Sequence, residues 1–220
     1  MPILLPIGIL LVAYVLGSIP FGYILVKAFT GKDVRNVESG RTGGTNTMRA
    51  AGFTLGFITS LLDMLKSAAA VWISRYLIPD GYWLEIFAGF FAVIGHNFSI
   101  FLLEKDQRGK IKLGGGAGGT PAIGAIIGLW WPSFFILVPA GYLIVMVVGY
   151  ASLATMSLPL IGSFILLIRF LYADQPWEYI FSGLLSEILI IWALRPNIKR
   201  LLDGTERLVG FRAKRKKQEE

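Results

Sequence analysis

The stretch SGRTGGTNTMRAAG, residues 39–52, gathers the side chains best suited to chemistry in this chain. Ser39 and Thr45 offer hydroxyls, Asn46 a carboxamide, and Arg41 and Arg49 guanidinium groups. Gly40, Gly43 and Gly44 lie among them. Glycines admit positive φ and let backbone N–H groups converge on an anion, while arginine grips phosphate oxygens in pairs. The segment is therefore suited to holding a phosphate. It contains no GxxxxGK[ST] and follows no strand, so a P-loop and a dinucleotide fold both fail. The competing reading is a flexible loop running into a helix that starts near Thr45.

Two further segments carry more polarity than a spanning helix requires. GGGAGGTPAIG at 114–124 supplies Gly114, Gly115, Gly116, Gly118 and Gly119 ahead of Pro121. Proline suits a first helical turn, and a helix start attracts phosphate. Close packing of helices through small residues explains the same composition. LRPNIKRLLDGTE at 194–206 places Arg195 and Asn197 at the membrane interface. They face either a ligand or lipid headgroups, and an amphipathic stub with Lys199 and Arg200 outward is the simpler reading.

Among titratable groups, Asp63 and Lys66 are three apart and share a helix face. Ionisable residues within a membrane usually pair inside the protein, so the two read as structural support. Glu187 is a second buried-acid candidate. His96, in GHNFS, is either a general base or a hydrogen-bonded histidine between helices. With one histidine and no cysteine, neither a multi-histidine nor a thiolate metal centre is available. No metal, cofactor or nucleic acid enters the reading.

Positioning these groups falls to apolar helices. Of 220 residues, 55% are hydrophobic and 16% charged, against about 25% charged in soluble domains. Spanning helices need about 20 apolar residues, and such runs recur near 3–28, 54–78, 83–103, 115–130, 132–150, 152–172 and 178–194. The fourth and fifth are two spans or one broken span. The fold class is all-α: a polytopic integral membrane protein of about seven transmembrane helices. It forms one membrane-embedded domain over 1–220, with a basic tail from about 204. The first run lacks a basic flank and exceeds a signal's apolar length, so it reads as a retained span.

Basic residues mark one side. Lys27, Lys32, Arg35, Arg41 and Arg49 lie in one loop, and Lys105, Arg108, Lys110 and Lys112 in another. The tail ends in KRKK at 214–217, whereas 79–82, 130–132 and 173–177 contain neither lysine nor arginine. This predicts an outside N-terminus and a cytoplasmic C-terminus, with a tail suited to anionic membrane lipids.

DVRNVESGRTGGTNTMRAAG resembles the first signature of the bacterial acyl-phosphate:glycerol-3-phosphate acyltransferases. GSIPFGYIL, LLDMLKSAAAV, IGHNFSIFL, YASLATMS and RPNIKRLLDGTE are similar to that family in the same order, across nearly the whole chain. The resemblance implies a multi-pass enzyme of the bacterial inner membrane. It would move an acyl group from acyl phosphate to the 1-hydroxyl of glycerol 3-phosphate, giving lysophosphatidic acid and phosphate. By position it implies that Ser39 and Arg49 contact phosphate, that Thr45 and Asn46 are the family's TN pair, and that Asn197 is its late asparagine. Ser152 matches a serine between the fifth and sixth spans, and Glu206 closes the last motif as structural support, alongside Asp63, Lys66 and His96.

The sequence also departs from the family pattern. Ala117 stands at the lysine of a GGKG loop, Leu194 at a histidine three before the asparagine, and Glu38 and Arg41 at a glycine and an asparagine. Arg41, Lys110 or Lys112 is then the expected replacement cation, and 104–112 reads as an insertion. The departures keep two alternatives open: a paralogue that binds or transports an anionic lipid or metabolite, and an enzyme acylating a different polyol phosphate.

Overall fold

The computed structural model describes residues 3–105, 109 and 111–219. Lys110 and Arg108, named above, lie outside the described residues, as do the side chains of Lys105, Lys214, Lys216 and Lys217.

The first apolar run is two helices. Ile19 is extended and Pro20 has no N–H to continue a helical ladder, so α1 (Leu4–Ser18) breaks before α2 (Phe21–Thr30). Gly31, at φ +69°, ends α2 in the left-handed region. The polar segment then contributes α3 (Gly44–Ala51), whose start agrees with the expected helix near Thr45. Next come α4 (Phe53–Leu77) and α5 (Tyr82–Asn97).

At the edges of the insertion expected over 104–112 lies a short antiparallel strand pair, a small departure from an all-helical chain. In it β1 (Leu103–Lys105) pairs with β2 (Ile111–Leu113), Leu103 opposite Leu113. After it lie α6 (Gly119–Leu129), α7 (Phe134–Leu143) with a π turn over Ile144–Val148, α8 (Ala151–Ala173), α9 (Phe181–Leu202) and α10 (Gly210–Glu219).

Five helical segments among the described residues are long and apolar enough to cross a membrane: Leu4–Thr30, Phe53–Leu77, Trp131–Val148, Ala151–Ala173 and Trp177–Leu202. The other two expected spans are shorter. The one expected at 83–103 stops at Asn97, and its 16 residues reach roughly 24 Å at about 1.5 Å each, short of a hydrocarbon core of roughly 30 Å. The one expected at 115–130 begins at Gly119 and has 11 residues. Every residue of α6 except Thr120 is buried, so this helix is solvated by protein and need not match the bilayer. Expected spans four and five are separate helices, parted at extended Trp130.

Small residues let the helices interlock. A Cβ on Gly17 would lie 2.1 Å from Ala92 O, and one on Gly95 2.2 Å from Tyr14 O, which fixes α1 against α5. Gly124 meets the Met64 backbone equally closely, seating α6 on α4. The main core of Met64, Val71, Ile126, Leu137, Leu158 and Leu166 fills the space between α4, α6, α7 and α8. Outward, Leu11, Phe135, Phe164 and Leu171 remain exposed; apolar exposure on this scale belongs in lipid.

Candidate active site

The three polar segments meet at one end of the bundle, around an open cleft of about 510 Å³. Ser39, Gly40 and Arg41 form one wall, Lys112, Gly115 and Gly116 a second, and Trp192, Arg195 and Pro196 of α9 a third. Asn97 and Phe98 line it from the end of α5.

Backbone contacts join the walls. Thr42 N donates to Gly115 O at 3.2 Å, and Gly116 N to His96 O at 2.9 Å. A Cβ on Gly115 would fall 2.3 Å from His96 O, so this close approach requires glycine. Gly114 is bonded on both sides, to Leu102 O and from Ser99 N, and so links the hairpin to α5. Gly119 and Gly44 serve packing: their added Cβ atoms would meet Thr155 and Ser60 side chains at 2.6 and 1.9 Å. Gly118, at φ +90°, caps α6 in a conformation glycine permits.

Asn46 is placed otherwise than expected of a catalytic side chain. It is 3% exposed, and its amide donates to the carbonyls of Val34, Val37 and Arg41 at 2.8–3.0 Å. Its oxygen accepts from Ser39 N at 3.4 Å. A carboxamide committed to the backbone on both sides holds the loop's shape and has little capacity left for a ligand. Thr45 and Arg49, four apart, are both exposed on one face of α3. Arg49 makes no hydrogen bond among the described residues; its charged neighbours include Arg207, Glu38 and Glu206.

Arg41, one of the cations expected to replace the missing ones, lies on the cleft wall. Its guanidinium donates to Asn197 Oδ1 at 3.0 Å and to Ala193 O. Burial pulls its pKa below the usual arginine range, with nearby Arg200 adding to this and Glu206 opposing; arginine's high starting value keeps it a cation. Asn197 Nδ2 donates to Glu206 Oε1 at 2.8 Å, which also accepts from Ser152 Oγ at 3.2 Å, while Arg200 Nε meets Glu206 Oε2 at 2.9 Å. Ser152, 4% exposed, therefore stands behind Asn197 and off the cleft wall, a supporting place where a substrate contact was expected. Residues 195–202, expected as a separate interfacial stub, continue α9 through Pro196, and that continuity aims Asn197 at Arg41.

The two departures that replace a basic residue, Ala117 and Leu194, are neighbours in space. Leu194, 2% exposed, joins Val93, Ala122 and Ile190 in an apolar cluster, and Ala117 packs against it. Where two basic side chains were expected, apolar groups fill one site together.

Below the glycine loops lies a buried ionic group. Lys66 Nζ is 2.8 Å from Asp63 Oδ1, 2.9 Å from Ile19 O and 3.1 Å from His96 Nδ1. All three side chains are 3% exposed or less. The Asp63–Lys66 pairing is an ion pair off hydrogen-bond geometry, and neither Asp63 oxygen has a hydrogen bond among the described residues. Glu187, buried in α9, has an Oε2 with no hydrogen-bond partner among the described residues and is not part of this group.

Sequence reasoning singled out Lys112 but missed Asn97, Phe98, Trp192 and Pro196 as lining residues. Asn97 is 6% exposed with neither side-chain polar atom hydrogen-bonded among the described residues. Its signal was its place in GHNFS, next to the histidine.

The sequence profile of glycerol-3-phosphate acyltransferase matches residues 7–204. A glycerol-3-phosphate acyltransferase of Rubrobacter xylanophilus is 34% identical over 96% of this chain and 98% of its own. Glycerol-3-phosphate acyltransferase 2 of Moorella thermoacetica is 35% identical over 93% of this chain and 97% of its own. Among solved structures, PlsY (YgiH), an integral membrane glycerol 3-phosphate acyltransferase, in its glycerol 3-phosphate form superposes with a TM-score of 0.79 at 30% identity, covering 93% of this chain and 96% of that one. Its lysophosphatidic acid form gives 0.77. Matched from its first span to the segment beyond its last, this chain belongs to the glycerol-3-phosphate acyltransferase family.

Proposed function

We propose that this multi-pass membrane acyltransferase transfers a fatty acyl group from acyl phosphate to the 1-hydroxyl of glycerol 3-phosphate, releasing lysophosphatidic acid and phosphate. The observation that carries the reading is the convergence of Ser39, Arg41, Lys112 and the Gly115–Gly116 backbone on one cleft, with Asn197 hydrogen-bonded to Arg41 behind it. Two phosphorylated substrates need cations and backbone donors; the cleft offers Arg41, Lys112 and the Gly115 N–H, which makes no hydrogen bond among the described residues, while the Gly116 N–H is already given to His96 O.

The hydroxyl oxygen attacks the acyl carbonyl carbon, and the carbon–oxygen bond to phosphate breaks. Phosphate leaves with the electron pair and takes up the hydroxyl proton. Phosphate is already a good leaving group, so holding hydroxyl and carbonyl together supplies much of the acceleration, and donors for the developing charge supply more. In this scheme Ser39, Arg49 and the loop amides hold phosphate. Asn197, locked by Arg41 and Glu206, orients the glycerol, and Arg41 stands in for the absent lysine and histidine. The apolar rim of Phe98, Leu113 and Trp192 leads the acyl chain between helices. Asn46 and Ser152 support these groups from behind.

The chain would function as one domain in the bacterial inner membrane, its cleft and tail cytoplasmic and its N-terminus outside, as the basic loops direct. Purified protein given acyl phosphate and glycerol 3-phosphate should release phosphate and form lysophosphatidic acid in equal amounts. Release with another polyol phosphate alone would change the acceptor, and no release with any acceptor would overturn the transferase assignment.

A further inference from the structure

His96 is a buried group near the cleft that the scheme above leaves unused, and its contacts define its tautomer. The imidazole is 4% exposed. Its Nδ1 lies 3.1 Å from Lys66 Nζ. An ammonium group can only donate, so in this contact Nδ1 accepts; Asp63 Oδ1, the acceptor that an Nδ1–H would face instead, is farther from the ring nitrogen, at 3.5 Å. The Lys66 ammonium is itself held by Asp63 and by Ile19 O at the break between α1 and α2, which keeps it aimed at the ring. In a neutral imidazole the proton is therefore on Nε2.

That nitrogen is directed at the glycine loops. A Cβ on Gly116 would lie 1.9 Å from His96 Nε2, and one on Gly43 4.0 Å away. Gly116 is part of the cleft wall, and His96 Nε2 makes no hydrogen bond among the described residues. Next to it, the Asn97 carboxamide is buried with no hydrogen-bond partner among the described residues and lines the same cleft. A buried donor left open beside an anion-holding loop points to a ligand that completes it.

We infer that His96 is a hydrogen-bond donor to a phosphoryl oxygen bound over the glycine loops, with Lys66 and Asp63 as positioning residues that hold it in the Nε2–H tautomer. The inference rests on the function proposed above. It assigns His96 no role as a base, because the nitrogen facing the substrate already carries the proton. The Lys66–His96 contact also ties α4 to the end of α5, so the donor's direction is set by two packed helices.

Having one histidine makes the test direct. Protein labelled with nitrogen-15 in histidine carries one imidazole, whose two nitrogen shifts report the tautomer. The Nε2–H form is expected, and Lys66→Met should let the Nδ1–H form appear. Titrating the wild-type protein with glycerol 3-phosphate, and separately with inorganic phosphate and a non-hydrolysable acyl phosphonate, should move the Nε2–H signal. A shift with glycerol 3-phosphate alone assigns the contact to the acceptor's phosphate, and one with the other two to the donor's. In kinetics, His96→Gln, whose amide reaches the place of Nε2, should keep kcat/KM within about 10-fold, while His96→Phe should lose about 100-fold or more. An Nδ1–H tautomer, or an unmoved signal in protein that turns over normally, would overturn the inference. Protein that shows the phosphate shifts but forms no lysophosphatidic acid would instead overturn the proposed function and leave the donor in place.

Discussion

Two polar clusters sit at opposite ends of this bundle, and they spend their hydrogen-bonding capacity differently. At the far end, Glu85 is 1% exposed and its Oε2 accepts from Arg75 Nη2 at 2.6 Å and Tyr179 OH at 2.8 Å. Arg75 also donates to the carbonyls of Gly128 and Leu129, capping the C-terminus of α6, while Trp72 Nε1 takes Gly128 O as well. The donors of that cluster are turned onto one another or onto backbone. At the cleft end, Asn97 and His96 Nε2 have no partner among the described residues, Arg49 makes no hydrogen bond there, and Lys112 stands exposed on the wall. A closed network staples helices; an open one waits for a substrate. The same residue types serve both purposes, and saturation tells them apart.

The comparison predicts that substitutions at the two ends separate activity from stability. Arg49→Ala should abolish acyl transfer and leave the thermal midpoint in detergent unchanged, since that side chain carries no hydrogen bond of the fold; full activity in a phosphate-release assay would sink its assignment. Glu85→Ala should do the reverse. Breaking a buried pair at one partner costs about 3–5 kcal/mol. Arg75 keeps 39% of its side chain exposed, which places the loss at the lower end, with kcat near normal below the new midpoint. A variant inactive but equally stable would make the far end part of the site.

Arg41→Ala should raise KM for glycerol 3-phosphate by about 10- to 100-fold, the range of hydrogen bonds to a charged group at about 1.5–3 kcal/mol. Lysine should restore part of it, and an unchanged KM would leave Arg41 a mere latch on Asn197. The smallest effect is expected at Asp33, which accepts from Arg35 N at 2.9 Å and pairs with its guanidinium. The Arg35 side chain holds the Asp33 pKa below the ordinary aspartate value. With the folded value depressed, its contribution is present above the unfolded pKa and lost as pH falls through the folded one. Asp33→Ala should therefore cost about 1 kcal/mol at neutral pH, the usual worth of a cap, and nothing once aspartate is protonated in both states. An equal cost at both pH values would show that charge plays no part.

Apolar length and the grouping of lysine and arginine made a multi-pass helical protein legible from the residues alone, because a bilayer demands long apolar runs. The same reasoning overstated α5 and α6. A run of apolar letters reads alike whether lipid or protein surrounds it, and burial of α6 on nearly all sides is a property of its neighbours. The polar, glycine-rich segments 39–52 and 114–124 were legible as departures from spanning helix, and residues of both line one cleft; their phosphate-holding role is the one proposed above. The division of labour within those segments was not. Asn46 and Arg49 belong to one short motif, yet one faces inward on carbonyls and the other outward. That difference depends on the helix's rotation against α4, which Gly44 sets through its contact with Ser60 and Gly56. Likewise Ala117 and Leu194, 77 positions apart in the chain, look like two separate losses in sequence. Folding places them in one apolar cluster, because helix packing brings distant positions within van der Waals reach.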